Sequence, residues 1–165
     1  MKWNIRQEKA GDEAAIAEVT RVAFAPKAFS DGSEAVLPAQ LREAGALVLS
    51  LVAEEKKSII GHIALSPAKV GVAKWLAVGP VSVRPDRQGR GIGSALVNNA
   101  VAVARAYGRG GVVLTGDPAF YGRLGFVHSD AMTMGGKPNK HLQFIAFDGD
   151  PVGDVHFHAA FEETP

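Results

Sequence analysis

The segment VSVRPDRQGRGIGSALVNNA, Val81 to Ala100, constrains this chain more than any other. A run rich in β-branched residues reads as a strand that stops at Pro85, and a basic loop follows. Gly89, Gly91 and Gly93 then lead straight into an apolar helix. Each glycine removes a Cβ, so a ligand can lie directly against the backbone. The amides from Gly89 to Ser94 point into the loop, where the first N–H groups of a helix lack intrahelical acceptors. With the positive end of the helix dipole added, the place suits a phosphate or pyrophosphate. A plain turn would not choose this composition, because glycine costs about 1 kcal/mol relative to alanine in a helix.

Spacing separates this loop from other phosphate loops. A dinucleotide fingerprint needs G-x-G-x-x-G, and counting from Gly89 the last position is Ser94. The string G-x-x-x-x-G-K-[ST] does not occur, so a nucleotide-binding reading lacks its lysine as well as an acidic metal cluster. What remains is Q-x-x-G-x-G, carried by Gln88, Gly91 and Gly93.

The rest of the chain reads as one domain over residues 1–165, with no repeat or long linker. Trp3 to Gln7 is a short strand. A helix follows, with Asp12 as N-cap and Ile16, Val19, Thr20 and Ala23 on one face. Pro26 to Ser33 is loop, and a second helix runs from Val36 to Ala44, closed by Gly45. Leu47 to Ala53 and Ser58 to Leu65 flank a charged EEKK turn, and Trp75 to Val83 follows too closely for a crossover helix, so these strands are antiparallel. A long helix places Ile92, Leu96, Ala100, Val103 and Tyr107 on one side and ends at Gly108. Val112 to Thr115 is a strand, and Asp117-Pro118 begins a short helix that Gly125 terminates. Leu142 to Phe147 and Val155 to Phe161 read as two more strands. The expected class is α/β (α+β): a mixed, mostly antiparallel sheet of about seven strands flanked by about four helices, with one strand–helix–strand unit, Trp75 to Thr115. Gly79-Pro80 marks a bulge in the last strand before the loop, because Pro80 cannot donate to a ladder.

Composition narrows the function classes. With 18 Lys+Arg against 17 Asp+Glu the net charge is +1, which gives no electrostatic reason to expect nucleic acid or an anionic membrane as partner. There is no cysteine, so disulfides, thiolate metal sites and a cysteine nucleophile are excluded. The start MKWNIRQEKAGDEAA turns charged where a signal peptide needs its apolar centre, and the apolar stretch Gly45 to Ala53 is too short to span a bilayer. A cytoplasmic location is expected by elimination.

Gln88-Gly89-Arg90-Gly91-Ile92-Gly93, after Val83-Arg84-Pro85, resembles the acetyl-CoA loop of the GCN5-related N-acetyltransferase (GNAT) family. GDPAFYGRLGF, Gly116 to Phe126, is similar to that family's second CoA-proximal motif, F-Y-x-x-x-G-F. The two motifs stand in the family's order, and the agreement of elements runs from Ile5 to about Phe126, closest to the YhbS-like acetyltransferases. The resemblance implies an enzyme that moves an acetyl group from acetyl-CoA to an amine of a small molecule or a protein. It implies a pyrophosphate on the amides of Gln88 to Ser94, that is Gln88, Gly89, Arg90, Gly91, Ile92, Gly93 and Ser94. It further implies a pantetheine arm paired strand-like with Val81, Ser82 and Val83, and Asp117 near the thiol end. Asp117 replaces the asparagine-led pattern common in the family and doubles as a helix cap.

Transfer to an amine needs a neutral amine, a polarised carbonyl and a proton for the thiolate. Amides near Val83 supply the second. Tyr121 matches the family's tyrosine and is the acid expected for the third; the competing reading is a core tyrosine hydrogen-bonded at its tip. No acid lies in Trp75 to Val83, leaving Ser82, a weak base, and His62 on a neighbouring strand. A water chain, or an amine arriving neutral, serves as well. His156 and His158 share one face of the last strand, which reads as amphipathic, and no metal site is assigned. Trp75 and Phe29 are possible acceptor-site residues or core, and the C-terminal strands could pair two copies into a homodimer. A non-catalytic acyl-CoA-binding sensor would keep the same loop.

Overall fold

The chain opens with β1 (Trp3–Gln7), α1 (Glu13–Phe24), a 3₁₀ turn at Ser33–Ala35 and α2 (Leu37–Glu43). This is a computed structural model, and it describes residues 2–27 and 30–163. The four expected residues of α1 are its buried face, Ile16, Val19, Thr20 and Ala23. Asp12 stands at the N-cap but its side chain does not cap the helix; it accepts from Arg6 at 2.8 and 3.2 Å and from the Lys9 N–H at 2.8 Å. The guanidinium is the stronger donor, so the carboxylate turns to it.

β2 (Leu49–Glu55) and β3 (Ser58–Val70) form the expected hairpin, turning on Lys56 and Lys57, both at positive φ. β4 (Ala73–Val83) returns antiparallel along β3. A 3₁₀ turn at Pro85–Arg87 leads into α3 (Ile92–Ala104), and β5 (Gly111–Thr115) comes back parallel to β4. α4 (Pro118–Gly122), β6 (Met132–Met134), β7 (Lys137–Pro138), β8 (Leu142–Ala146), β9 (Gly153–Phe157) and α5 (Ala160–Glu163) complete the chain. The sheet runs β7-β6-β9-β3-β4-β5-β8, with β1 and β2 on the free half of β3. One edge of β3 is shared: Leu49 to Glu55 of β2 pair with its first part, and Val155 to Phe157 of β9 with Ala68 to Val70.

Several sequence expectations need correction. β3 runs on to Val70, five residues beyond the expected end, because β9 supplies it with a second partner there. Val103 and Tyr107 are not on the buried side of α3; they are 38% and 43% exposed. Val97, Val101 and Ala104 are buried instead, continuing the i, i+4 face of Ile92, Leu96 and Ala100, and Tyr107 falls in the 3₁₀ turn Arg105–Tyr107 that follows. The last strand ends at Phe157, so His158 lies beyond it and its Nδ1 accepts from the Ala160 N–H at 3.0 Å, which separates it from His156. Residues 128–140, to which no element is assigned from sequence, contain β6 and β7, short strands with little periodicity to read. Trp75 is core, 2% exposed and edge-on to Phe144, and Phe29 lies outside the described residues. Of the two C-terminal strands, β9 pairs with β3 at Val155–Phe157 and with β6 at Gly153 and Asp154, and β8 ends the strand order. No helix among the described residues is long and apolar enough to cross a membrane.

Arg6 ties β1 to the start of α1 through Asp12 and to β2 through Glu54 at 3.1 Å. The hydrogen bond from Arg6 holds the Asp12 carboxyl down to about 2. A carboxyl lowered on folding stabilises fully above its ordinary value and loses that contribution as pH falls through the folded one. Asp12→Asn should therefore lower the melting temperature near neutral pH and converge on the wild type near about pH 2. A constant difference between the two proteins across that range would remove the pair from the account of stability.

Candidate active site

The site is built where β4 leaves β5. The two strands pair only at Leu76–Val112 and Ala77–Val113. Beyond that point Ile63 faces Val81 and Leu65 faces Val78, so two steps along β3 match three along β4. The extra residue falls at Gly79-Pro80, the expected bulge, and Gly79 takes φ 143°, a conformation that favours glycine. From there β4 follows β3 and diverges from β5, opening a gap.

Backbone polarity in the gap follows from the ladder. The Arg84 N–H donates to the Ile60 carbonyl at 2.8 Å. Bonded pairs alternate in an antiparallel ladder, so His62–Ser82 is the next bonded pair and the N–H groups of Val81 and Val83 point away from β3, into the gap. The Val83 carbonyl, which points the same way, accepts from Gln88 Nε2 at 3.0 Å.

At the mouth, α3 begins with its first ladder bond, Ala95 N–H to the Gly91 carbonyl, at 3.0 Å. Among the described residues no acceptor takes the amides of 89–94, so they remain available to a ligand. Gly89 and Gly91 stand at φ 80° and 82°, which turns the chain sharply into the helix. A Cβ at Gly91 would meet nothing within 4 Å, so glycine is required there by its dihedral and by whatever occupies that space. A Cβ at Gly93 would lie 3.5 Å from Phe120, which places α4 across the start of α3. The Ile92 side chain is buried against Gly61, leaving only its amide to the loop.

The loop's charge is mostly neutralised. Arg84 bonds Asp86 at 2.6 Å, and Arg87 bonds Glu55 at 2.8 Å and Asp86 at 3.0 Å. Among the described residues Arg90 has no ion-pair partner and is exposed. Anion binding therefore depends on backbone amides more than on side-chain charge.

Asp117 caps α4, accepting from the Ala119 N–H at 2.9 Å. Tyr121 lies between Phe120 and Phe126, with ring centroids 4.8 and 5.6 Å away. A Cβ on Gly116 would come 2.5 Å from the tyrosine ring, so that glycine is the seat of the ring, a role its sequence position does not announce. Among the described residues no protein group bonds to the Tyr121 hydroxyl. Burial, with the nearby Asp117 charge, pushes its pKa up to about 12. On β3, His62 is fully buried, and burial lowers its pKa to about 4.

A Cβ at Gly93 would also lie 3.6 Å from Val83, so the ends of β4, α3 and α4 converge at the loop, with Asp117 and Tyr121 carried on α4. The Ser82 side chain turns to the opposite face, the one α1 covers. Sequence reasoning did not find Gly61, where an added Cβ would meet Leu96 at 3.1 Å and Ile92 at 3.2 Å; it lets α3 settle onto β3. Nothing local signals such a residue, because its neighbours are about 30 positions away.

A mixed sheet split at a bulge, with a glycine loop at the head of the crossover helix, is the framework of this site. An acetyltransferase (GNAT) domain model matches residues 47–128. A GNAT family acetyltransferase from Brucella melitensis, solved with acetyl-CoA, is 44% identical over 96% of this chain and 97% of that one, with a TM-score of 0.85. The Escherichia coli GNAT family N-acetyltransferase YhbS, solved with CoA, superposes with a TM-score of 0.87 at 28% identity over 99% of this chain and 93% of that one. In sequence, the match to the N-acetyltransferase YhbS of Escherichia coli K12 is 36% identical over 103 residues, spanning 61% of this chain and 62% of that protein. The chain belongs to the GNAT family.

Tyr121 can be titrated nearly alone, since the chain has only two tyrosines. In Tyr107→Phe, ultraviolet difference titration should show a single phenol ionising at about 12. Ionisation near the ordinary value of about 10 would show that the ring is not buried as described.

Proposed function

We propose that this chain transfers an acetyl group from acetyl-CoA to a primary amine of a small molecule or a protein, directly within a ternary complex. One observation carries the reading: the unbonded N–H groups of Val81 and Val83 face the same gap as the free amides of 89–94. That is a strand-like edge ending in an anion cradle, the shape of a pantetheine arm ending in a pyrophosphate. The Brucella and Escherichia coli relatives, solved with acetyl-CoA and CoA, support it.

In this scheme Gly89, Arg90, Gly91, Ile92, Gly93 and Ser94 hold the pyrophosphate through their amides, while the Gln88 N–H, expected to join them, is spent on the Pro85 carbonyl at 3.4 Å. The Gln88 side chain fixes the loop to β4 through the Val83 carbonyl. Val81, Ser82 and Val83 align the arm, and the Val83 N–H polarises the thioester carbonyl as negative charge builds on its oxygen. Asp117 holds the head of α4 and so sets Tyr121. The amine nitrogen bonds to the acetyl carbon, the C–S bond breaks with its electron pair leaving on sulfur, and the amine loses a proton.

The raised phenol changes the acid expected from sequence. Passing a proton from a phenol at about 12 to a thiolate of pKa about 8.5 is roughly 5 kcal/mol uphill. Tyr121 therefore acts as a hydrogen-bond donor to the sulfur as charge develops, and the thiolate's proton is made up from the one the amine releases.

Tyr121→Phe should keep CoA affinity and lower kcat by a factor on the order of 10²–10³, with little change in the KM for acetyl-CoA. A screen of primary amines with acetyl-CoA, read by thiol release, supplies the acceptor. With no cysteine to carry the acyl group, initial-velocity lines should intersect; parallel lines or an acetylated protein would overturn direct transfer. Gly91→Val should abolish CoA binding by calorimetry, and unchanged affinity would sink the loop assignment. A wild type that binds acetyl-CoA but acetylates nothing in the screen would make the chain an acyl-CoA sensor.

A further inference from the structure

The face of the sheet under α1 holds polar atoms that the acetyl-transfer scheme leaves unused. Among the described residues, His62 Nδ1, Ser66 Oγ and Ser82 Oγ are buried without a partner. Buried polar groups in folded proteins are nearly always paired with protein or water, and an unpaired one costs about 1–3 kcal/mol. His62 and Ser82 are directly opposite on β3 and β4, 0% and 1% exposed. Directly opposed side chains have Cβ atoms about 5 Å apart, a span that one water bridges.

The other ring nitrogen of His62 is fixed. Arg42 donates to both oxygens of Glu8, at 2.8 and 2.9 Å, which keeps that group a carboxylate. Glu8 can then only accept, so the Ser50 hydroxyl donates to it at 2.6 Å. With its proton committed, Ser50 Oγ accepts from His62 Nε2 at 2.8 Å. Nε2 must carry the hydrogen, and Nδ1 is left as a bare lone pair. The packing around the ring adds no competing charge. The inward residues of α1 are Ile16, Val19, Ala23 and Thr20, whose hydroxyl is spent on the Ile16 carbonyl at 2.7 Å. Glu8 and Arg42 are the charges that act on the ring.

Position gives this lone pair a use. α3 and its glycine loop cover the Gly61 face of β3, so His62, the next residue, projects from the opposite face. On the acetyl-transfer reading, CoA lies on the α3 side of the gap and the amine approaches the thioester from the α1 side. Ser82 lies between Val81 and Val83, the two residues whose amides line the gap.

Resting on the acetyl-transfer reading, we propose that His62 accepts the proton of the attacking amine through a water held between its Nδ1 and Ser82 Oγ, with Arg42, Glu8 and Ser50 as positioning residues that fix its tautomer. As the nitrogen bonds to the acetyl carbon, its N–H proton passes to the water, and a proton of that water passes to Nδ1. The imidazolium keeps Nε2–H on Ser50, with Glu8 as counter-charge. The C–S pair leaves on sulfur, and the proton returns from Nδ1 through solvent to the thiolate, so that none is gained or lost. Burial keeps the ring neutral at rest, and the Glu8 carboxylate raises its proton affinity against that effect.

Nitrogen-15 NMR of the full chain tests the tautomer without any acceptor. At neutral pH, His62 Nδ1 should resonate as an unprotonated nitrogen and Nε2 as a protonated one, and Ser50→Ala should abolish that preference. Adding acetyl-CoA should move the Nδ1 signal more than adding CoA does, because the acetyl group is what approaches it. In the amine screen, His62→Leu should turn over amines at least about 10²-fold more slowly with unchanged acetyl-CoA affinity. His62→Gln, polar and of similar size, should show the same loss if the leucine variant folds poorly. A proton on Nδ1, or either variant acetylating at the wild-type rate, overturns the proposal. Failure of the wild type to bind acetyl-CoA in calorimetry is a separate result: it removes the acetyl-transfer reading and leaves the tautomer to the spectrum.

Discussion

The structure depends on a strand that cannot satisfy both its neighbours. β4 is held to β3 along its whole length, but the extra residue at Gly79-Pro80 sets its second half at an angle to β5. Pro80 has no N–H to give to a ladder, and β5 pairs with β4 only at Leu76 and Ala77, before the bulge. The gap that results has unbonded amides on one wall and α4 on the other. Every residue assigned to the chemistry is placed by that divergence: Val81 and Val83 because their amides have lost a partner strand, Tyr121 because α4 caps the far side.

Around the gap, charge is arranged so that little of it is free. Arg84, Arg87, Glu55 and Asp86 neutralise one another beside the anion loop. A loop with unopposed arginines would attract any polyanion; amides at fixed positions select by shape as well as charge. On the opposite face Arg42 and Glu8 do a comparable service for His62, keeping a carboxylate ionised so that a hydroxyl and then an imidazole must orient. In both places ion pairs matter less for stability than for fixing which proton or donor faces the site.

Much of this was legible in the chain. The glycine loop, the bulge, the antiparallel run and the capped short helix all announce themselves within windows of a dozen residues, where local geometry sets the choice. The misreadings share one cause. β3 extends to Val70 because β9, almost ninety residues on, offers it a partner. Trp75 is core because Gly110 and Gly111 leave room for its ring. In each case the deciding neighbour is remote in sequence.

By itself, the sequence determined the elements, their order and the anion cradle, because those follow from periodicity, from φ angles only glycine adopts easily and from the donors that a helix start exposes. Only the tertiary structure decided what each side chain in the site can do. Tyr121 is a held, unpartnered phenol because Gly116 and Phe126 enclose it, and burial raises its pKa. His62 is a buried ring bonded to Ser50 because Glu8, Arg42 and Ser50, from three other parts of the chain, meet beside it. Proton affinity and hydrogen-bond direction are properties of surroundings, and those surroundings are assembled only by folding.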